Sequence, residues 1–264
     1  VANRSKVIQS IEPQIRLHDL LDQMRVRPHQ QRVAIRCSLR HVLRRQHTRR
    51  AGVGQIFLND VDDAIADVRW IKENGLRGGI LLPNIAPDVK WVKPLYDRCY
   101  DPLWQVLQDL EVPINIHSGS GNPDYGPYPV SMLLYINEVP FYTERPLVQL
   151  ILSGVFERFP RLKVVLTEAG CAWVPPLLER LDTNIRSIRD TGATGEIRYG
   201  ADHILPKDAT EYFHQNVWMG VSQPRQADAD ARHIIGLDKF MWGSDYPHDE
   251  GTYPYTRENL RARF

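Results

Sequence analysis

The sequence predicts an α/β protein built as a (β/α)8, TIM-like barrel. Three observations carry that prediction. Apolar runs alternate with helix-patterned segments in six strand–helix units, the rhythm of a parallel sheet. The 264 residues suit one such barrel and can bury a full core. Three of the apolar runs also end in a residue able to do chemistry, His117, Glu168 and Asp245, and each is followed by small or turn-forming residues. Parallel sheets place their active sites at these strand ends.

Each element has its own local reason. Residues 52–58 read as a strand, and Asn59 or Asp60 caps a helix over 61–74 whose apolar positions are Ile65, Val68, Trp70 and Ile71. Gly75 closes that helix, and a strand over 76–82 stops at Pro83. A helix over 96–110 leads to the strand 112–117. Residues 118–141, rich in Gly, Pro and Tyr, predict a loop long enough to be a lid or binding loop. A helix follows over 141–159, then a strand over 164–168 and a helix over 174–189 with prolines in its first turn. The strand 217–221, the helix 227–235 and the strand 239–244 complete the alternation.

Composition narrows the class of protein. With 42% hydrophobic and 25% charged residues and a net charge of +1, the chain is an ordinary globular one. No apolar run approaches the length of a membrane span, and no basic-then-apolar leader opens the sequence. Cys37, Cys99 and Cys171 are few, odd in number and widely spaced, which predicts a cytoplasmic protein without a disulfide framework or a zinc ribbon. The charge is uneven, however. Residues 1–50 hold twelve Lys/Arg against three Asp/Glu, together with four of the nine histidines. Two domains are therefore expected, a basic atypical segment over 1–50 and a barrel over 51–264. A basic amphipathic helix at 32–50 can bind nucleic acid, but no aromatic residue interleaves its charges, so a solvated arm is the simpler reading.

The candidate residues each have a plainer alternative. His117 can ligate a metal or move a proton, or it can be a core histidine bonded to a carbonyl. The Ser-Gly-Ser-Gly run after it lets a substrate approach. Asp245, in Gly-Ser-Asp-Tyr-Pro, is either a turn aspartate or a carboxylate partnered by a metal or histidine. Glu168 can be a ligand, a general acid or base, or a paired structural carboxylate. His248 can meet substrate or simply sit in an exposed turn. Arg145, Tyr125 and Tyr128 can bind an anionic or aromatic substrate. His203, His214 and His233 read as surface or packing residues.

His117 after its apolar strand, the stretch Phe-Pro-Arg-Leu-Lys-Val-Val-Leu-Thr ending at Glu168, and Gly-Ser-Asp245-Tyr-Pro-His resemble the amidohydrolase-related family. Its barrel branch includes aminocarboxymuconate-semialdehyde decarboxylase and γ-resorcylate decarboxylase. The resemblance runs from about Arg50 to Pro254. It implies a metal-dependent hydrolase barrel with one divalent ion, zinc first and manganese second. His117 and Asp245 take the metal-ligand positions, and Glu168 falls where the decarboxylases carry a catalytic histidine. Catalytic roles then fall to Glu168 and Asp245, and substrate contacts to His248, Arg145 and Tyr125. No His-x-His or Glu-x-His pair, the family's usual first-strand ligands, occurs anywhere in the chain. The expectation is a barrel incomplete at its N-terminus, where a fragmentation or frameshift has put the basic arm, and shortened at its C-terminus.

The function expected is that of a metal-dependent hydrolase or carboxy-lyase acting on a small carboxylated, aromatic substrate, with weak activity because first-strand ligands are missing. Rival readings are a catalytically impaired remnant of the same family and, more weakly, nucleic-acid binding through residues 1–50. The expected partners are a small-molecule substrate and, as one assembly the sequence allows, a second copy of the chain; no membrane is expected.

Overall fold

Six short apolar segments pair into one sheet: β1 (Val53–Gln55), β2 (Gly79–Leu81), β3 (Ile114–His117), β4 (Val164–Thr167), β5 (Val217–Ser222) and β6 (Phe240–Gly243). They lie side by side in chain order, every pair parallel. This computed structural model describes residues 51–264. The sequence expectations for residues 1–50 lie outside the described residues. Parallel neighbours require a crossover, and helices supply it. They are α1 (Val61–Glu73), α2 (Asp101–Asp109), α3 (Ser131–Leu152), α4 (Val155–Arg158), α5 (Val174–Thr191), α6 (Ala209–Asn216), α7 (Gln226–Ile235) and α8 (Thr256–Arg263). The result is an α/β fold with the strand order and helices of an incomplete (β/α)8 barrel.

Register divides the sheet into two faces. A Cβ on Gly54 would meet the Ile71 side chain of α1 at 2.4 Å, so position 54 faces the helices. Gly54 is in register with Ile80, Ile114, Val164 and Val217, all fully buried. With Ile116, Leu166, Met219 and Val221 they form the seam between sheet and helices. The helices answer at helical spacing: Ala64, Val68 and Ile71 from α1, Leu103 and Leu107 from α2, Leu177, Leu181 and Ile185 from α5. Asn115, Val165 and Trp218 share the opposite, inner face and are only half-buried. On β6 both Met241 and Trp242 are exposed, and among the described residues no strand pairs with its outer side.

Several local expectations hold. The Asp60 side chain accepts the Asp63 N–H at 2.9 Å and starts α1. Gly75, with φ 73°, follows the end of that helix. One expectation needs correction. The long loop ends at residue 130, and α3 begins at Ser131, ten residues before the predicted start. Pro140 and Pro146 lie inside α3, where each removes one N–H donor without ending the helix. The chain then breaks at Ser153 and Gly154 (φ 70°) before α4. A two-stranded antiparallel hairpin, Ala193–Thr194 with Ile197–Arg198, and α8 were not foreseen.

Candidate active site at the strand ends

Three adjoining loops bring the predicted triad together. His117 is the last residue of β3, Glu168 follows β4, and Asp245 lies two residues past β6. His117 Nε2 stands 3.0 Å from Glu168 Oε2. Asp245 stands near enough for its carboxylate to raise the Glu168 carboxyl by hydrogen bonding and by charge. The other ring nitrogen of His117, Nδ1, is 2.8 Å from the Ser118 carbonyl. A carbonyl only accepts, so Nδ1 carries a proton, and Nε2 is the ring nitrogen that faces the carboxylates.

The backbone at both carboxylates is unusual. Glu168 has φ 63° and Asp245 has φ 56°, left-handed conformations that non-glycine residues adopt at a cost of about 1–2 kcal/mol. Gln223, immediately after β5, shares the feature with φ 49°. Three successive strands thus end in a turn that L-residues disfavour. Such outliers persist only where surrounding contacts hold them. Around Glu168 those contacts are visible. Its N–H donates to the Gly220 carbonyl of β5 at 3.0 Å. Beyond it, Asp228 of α7 accepts the Cys171 and Ala172 N–H groups at 2.7 and 3.0 Å on one oxygen, and the Arg225 N–H at 2.9 Å on the other. Gly170 lets Asp228 come this close, since a Cβ there would sit 2.7 Å from its Oδ1. Asp228 is thus a positioning residue for the Glu168 turn. The sequence signal was only an acidic residue in the first turn of a helix, which reads as an ordinary start.

Electrostatics sets the state of Glu168. Burial raises its carboxyl above the ordinary carboxylate range. The charge of His117 opposes that shift, while the hydrogen bond and charge of Asp245 add to it. Two crowded carboxylates facing one imidazole nitrogen make a donor set that suits a divalent cation. The Nδ1–H···O=C bond of His117 is the second contact that metal-bound histidines usually make. His117, Glu168 and Asp245 are donors of the kind a divalent ion takes. A second cluster lies farther out: ligand atoms of Asp245, His248 and Glu250 all fall within 4.8 Å of one another. His248 and Glu250 are largely exposed, and Glu250 was not singled out in the sequence.

The remaining candidates lie on nearby loops or take internal partners. His248 Nδ1 is 3.6 Å from Asp245 Oδ2. Arg145, on α3, donates to the Ile85 carbonyl in the segment after β2 at 3.0 Å. Tyr125 donates its hydroxyl to Glu138 at 2.7 Å. Tyr128 is mostly exposed. His214 packs edge-on against Phe213, away from the triad's strands, and His233 is exposed on α7. Sequence reasoning also missed Asn84, three residues past the end of β2. Its amide nitrogen donates to the Ser120 carbonyl at 3.2 Å, while its Oδ1 is buried without a partner among the described residues.

Comparison with known proteins supports the family and the fold. A family model described as Amidohydrolase matches residues 16–264, reaching farther at both ends than the motifs did. The γ-resorcylate decarboxylase of a Polaromonas species is 28% identical over 213 residues, 78% of this chain and 62% of that protein. The decarboxylase orsB of Emericella nidulans is 25% identical over 165 residues, 57% of this chain and 45% of that protein. The chain thus spans between about half and two-thirds of the length of these relatives. Among solved structures, 5-carboxyvanillate decarboxylase LigW2 from Novosphingobium aromaticivorans, with bound manganese and 3-methoxy-4-hydroxy-5-nitrobenzoic acid, has the same fold. Its TM-score is 0.70 at 22% identity, over 93% of this chain and 66% of that one.

Proposed function

The chain belongs to the amidohydrolase family, and from that premise we propose that it is a metal-dependent carboxy-lyase for small aromatic carboxylic acids. The observation that carries this reading is the contact of Glu168 with both His117 and Asp245, with burial holding the Glu168 carboxyl in its protonated form more than usual. A carboxyl that keeps its proton can give it to carbon. In the reaction, the bond between the ring carbon and the carboxylate carbon breaks and CO2 leaves. The electron pair stays on the ring carbon, which takes the proton from Glu168. His117 and Asp245 would hold the divalent ion. When bound, it supplies Lewis-acid stabilisation of charge on the substrate oxygens.

The other residues have supporting parts in this scheme. Asn84 Oδ1 offers a buried acceptor to a substrate hydroxyl, and Arg145 brings a cation to the same segment. His248 meets substrate from the solvent side of Asp245. Tyr125, already donating to Glu138, shapes the loop and presents a ring face. The two similar curated proteins are both named decarboxylases, which favours CO2 loss over hydrolysis. Manganese, named with the LigW2 structure, is the first ion to test and zinc the second.

The test uses 2,6-dihydroxybenzoate labelled at the carboxyl carbon, with the chain loaded with manganese or zinc. Labelled CO2 released faster than in the metal-free chain supports the reading, even at low turnover. Release no faster than in the metal-free chain overturns it, and metal-dependent cleavage of an aryl ester without CO2 release replaces it with hydrolysis.

A further inference from the structure

Beside the strand ends lies a cleft of about 300 Å³ that the proposed chemistry does not use. Three segments wall it: Gln223 and Arg225 ahead of α7, Glu250 and Thr252 beyond the Asp245 turn, and Arg263 on α8. Its two cations are unspent. Arg98, Arg158, Arg161, Arg186 and Arg189 each pair with a carboxylate. Among the described residues no carboxylate pairs with Arg225 or Arg263, and both side chains are exposed. Asp228, three positions from Arg225, spends both oxygens on backbone N–H groups. Glu250, the carboxylate on the wall, lies 3.7 Å from His248 Nδ1. The cleft is therefore lined by two positive charges and one negative. Helix α7 starts at Gln226, so the positive end of its dipole adds to that excess.

We propose that this cleft binds a small tetrahedral oxyanion, of the phosphate or sulfate class, between the Arg225 and Arg263 guanidinium groups. A guanidinium fork takes two such oxygens at once. A monocarboxylate fills one fork, whereas a tetrahedral dianion has oxygens for both. Bound there, the ion ties together three segments. Helix α8 buries none of its residues, and Phe264 after it rests on Phe240 and Arg232. The Arg225 N–H donates to Asp228, the residue that holds the Glu168 turn. The Thr252 N–H donates to the Ser244 carbonyl at 3.3 Å, and a Cβ on Gly251 would sit 3.1 Å from the Asp245 carbonyl oxygen. That wall is thus continuous with the Asp245 turn. The anion braces both carboxylate turns from beside the site.

The binding does not depend on the reaction proposed at the strand ends. Calorimetric titration of the dialysed, metal-free chain with inorganic phosphate at constant ionic strength tests it. Wild type should bind one phosphate per chain, and acetate at least about tenfold more weakly. Arg225→Gln and Arg263→Gln should each weaken phosphate binding at least about tenfold, with an unchanged far-UV circular dichroism spectrum. His117→Ala should leave phosphate binding as it is. Saturating phosphate should slow amide hydrogen exchange at least about twofold in both 168–173 and 244–252. Absence of saturable binding overturns the proposal. So does binding that both arginine variants leave intact, which would place the anion elsewhere, as on the basic residues 1–50. Binding lost in His117→Ala, or binding that protects neither segment, overturns it as well.

Discussion

Glu168 is the residue on which the proposed chemistry turns. Its position was legible in the sequence because an apolar strand ending in a carboxylate, with Ala-Gly after it, has few other uses. Its partner Asp228 was not legible, being sixty positions away and resembling any acidic helix start. The two separate in a mutant series. Glu168→Gln keeps the shape and loses the proton, so turnover should fall about 10²–10⁴-fold while bound metal stays constant. Loss of metal in parallel would make Glu168 a ligand instead. Asp228→Ala strips the acceptor from three N–H groups, at a cost of about 1–3 kcal/mol or more in a denaturant melt. Because it frees the Glu168 turn, kcat should drop more than KM rises. A variant with lowered stability and unchanged kcat would show that Asp228 only holds the fold.

Among elements, those that bury an apolar face were readable and those that do not were missed. Helix α1 has a cap at Asp60, a buried stripe and Gly75 at its end, and its bounds fall where the sequence put them. The first half of α3 was read as loop because the Gly-, Pro- and Tyr-rich stretch before it runs directly into it and its apolar residues point away from the core. Helix α8 buries nothing, so it left no pattern to read. The join between α5 and α6 was equally silent, since it rests on charge. Arg186 and Arg189 of α5 reach Asp208 at the head of α6 with hydrogen bonds that hold its carboxyl below the ordinary carboxylate range. A lowered folded value contributes stability that is full above the unfolded one, and that contribution is lost as pH falls through the folded one. The melting temperature of wild type should therefore exceed that of Asp208→Asn at pH 7, and the gap should close below about pH 4. A gap that does not narrow at all as pH falls below the unfolded carboxylate range would show that the pairing contributes nothing through ionisation.

At the scale of the whole molecule, six parallel strands in chain order were legible because each is a short apolar run between helix patterns, and the barrel class follows from that order. The exposure of β6 was not, since Met241 and Trp242 read as core residues in the sequence. Two sets of donors are candidates for a cation, the inner set of His117, Glu168 and Asp245 and the outer set of Asp245, His248 and Glu250. Calorimetric titration of the dialysed chain with manganese, repeated on His117→Ala and on His248→Ala, decides between them and tests the central claim. The inner site predicts one ion per wild-type chain, affinity reduced at least tenfold in His117→Ala, and affinity unchanged in His248→Ala. No bound ion in wild type, or full affinity in His117→Ala, would contradict a metal centre built on His117.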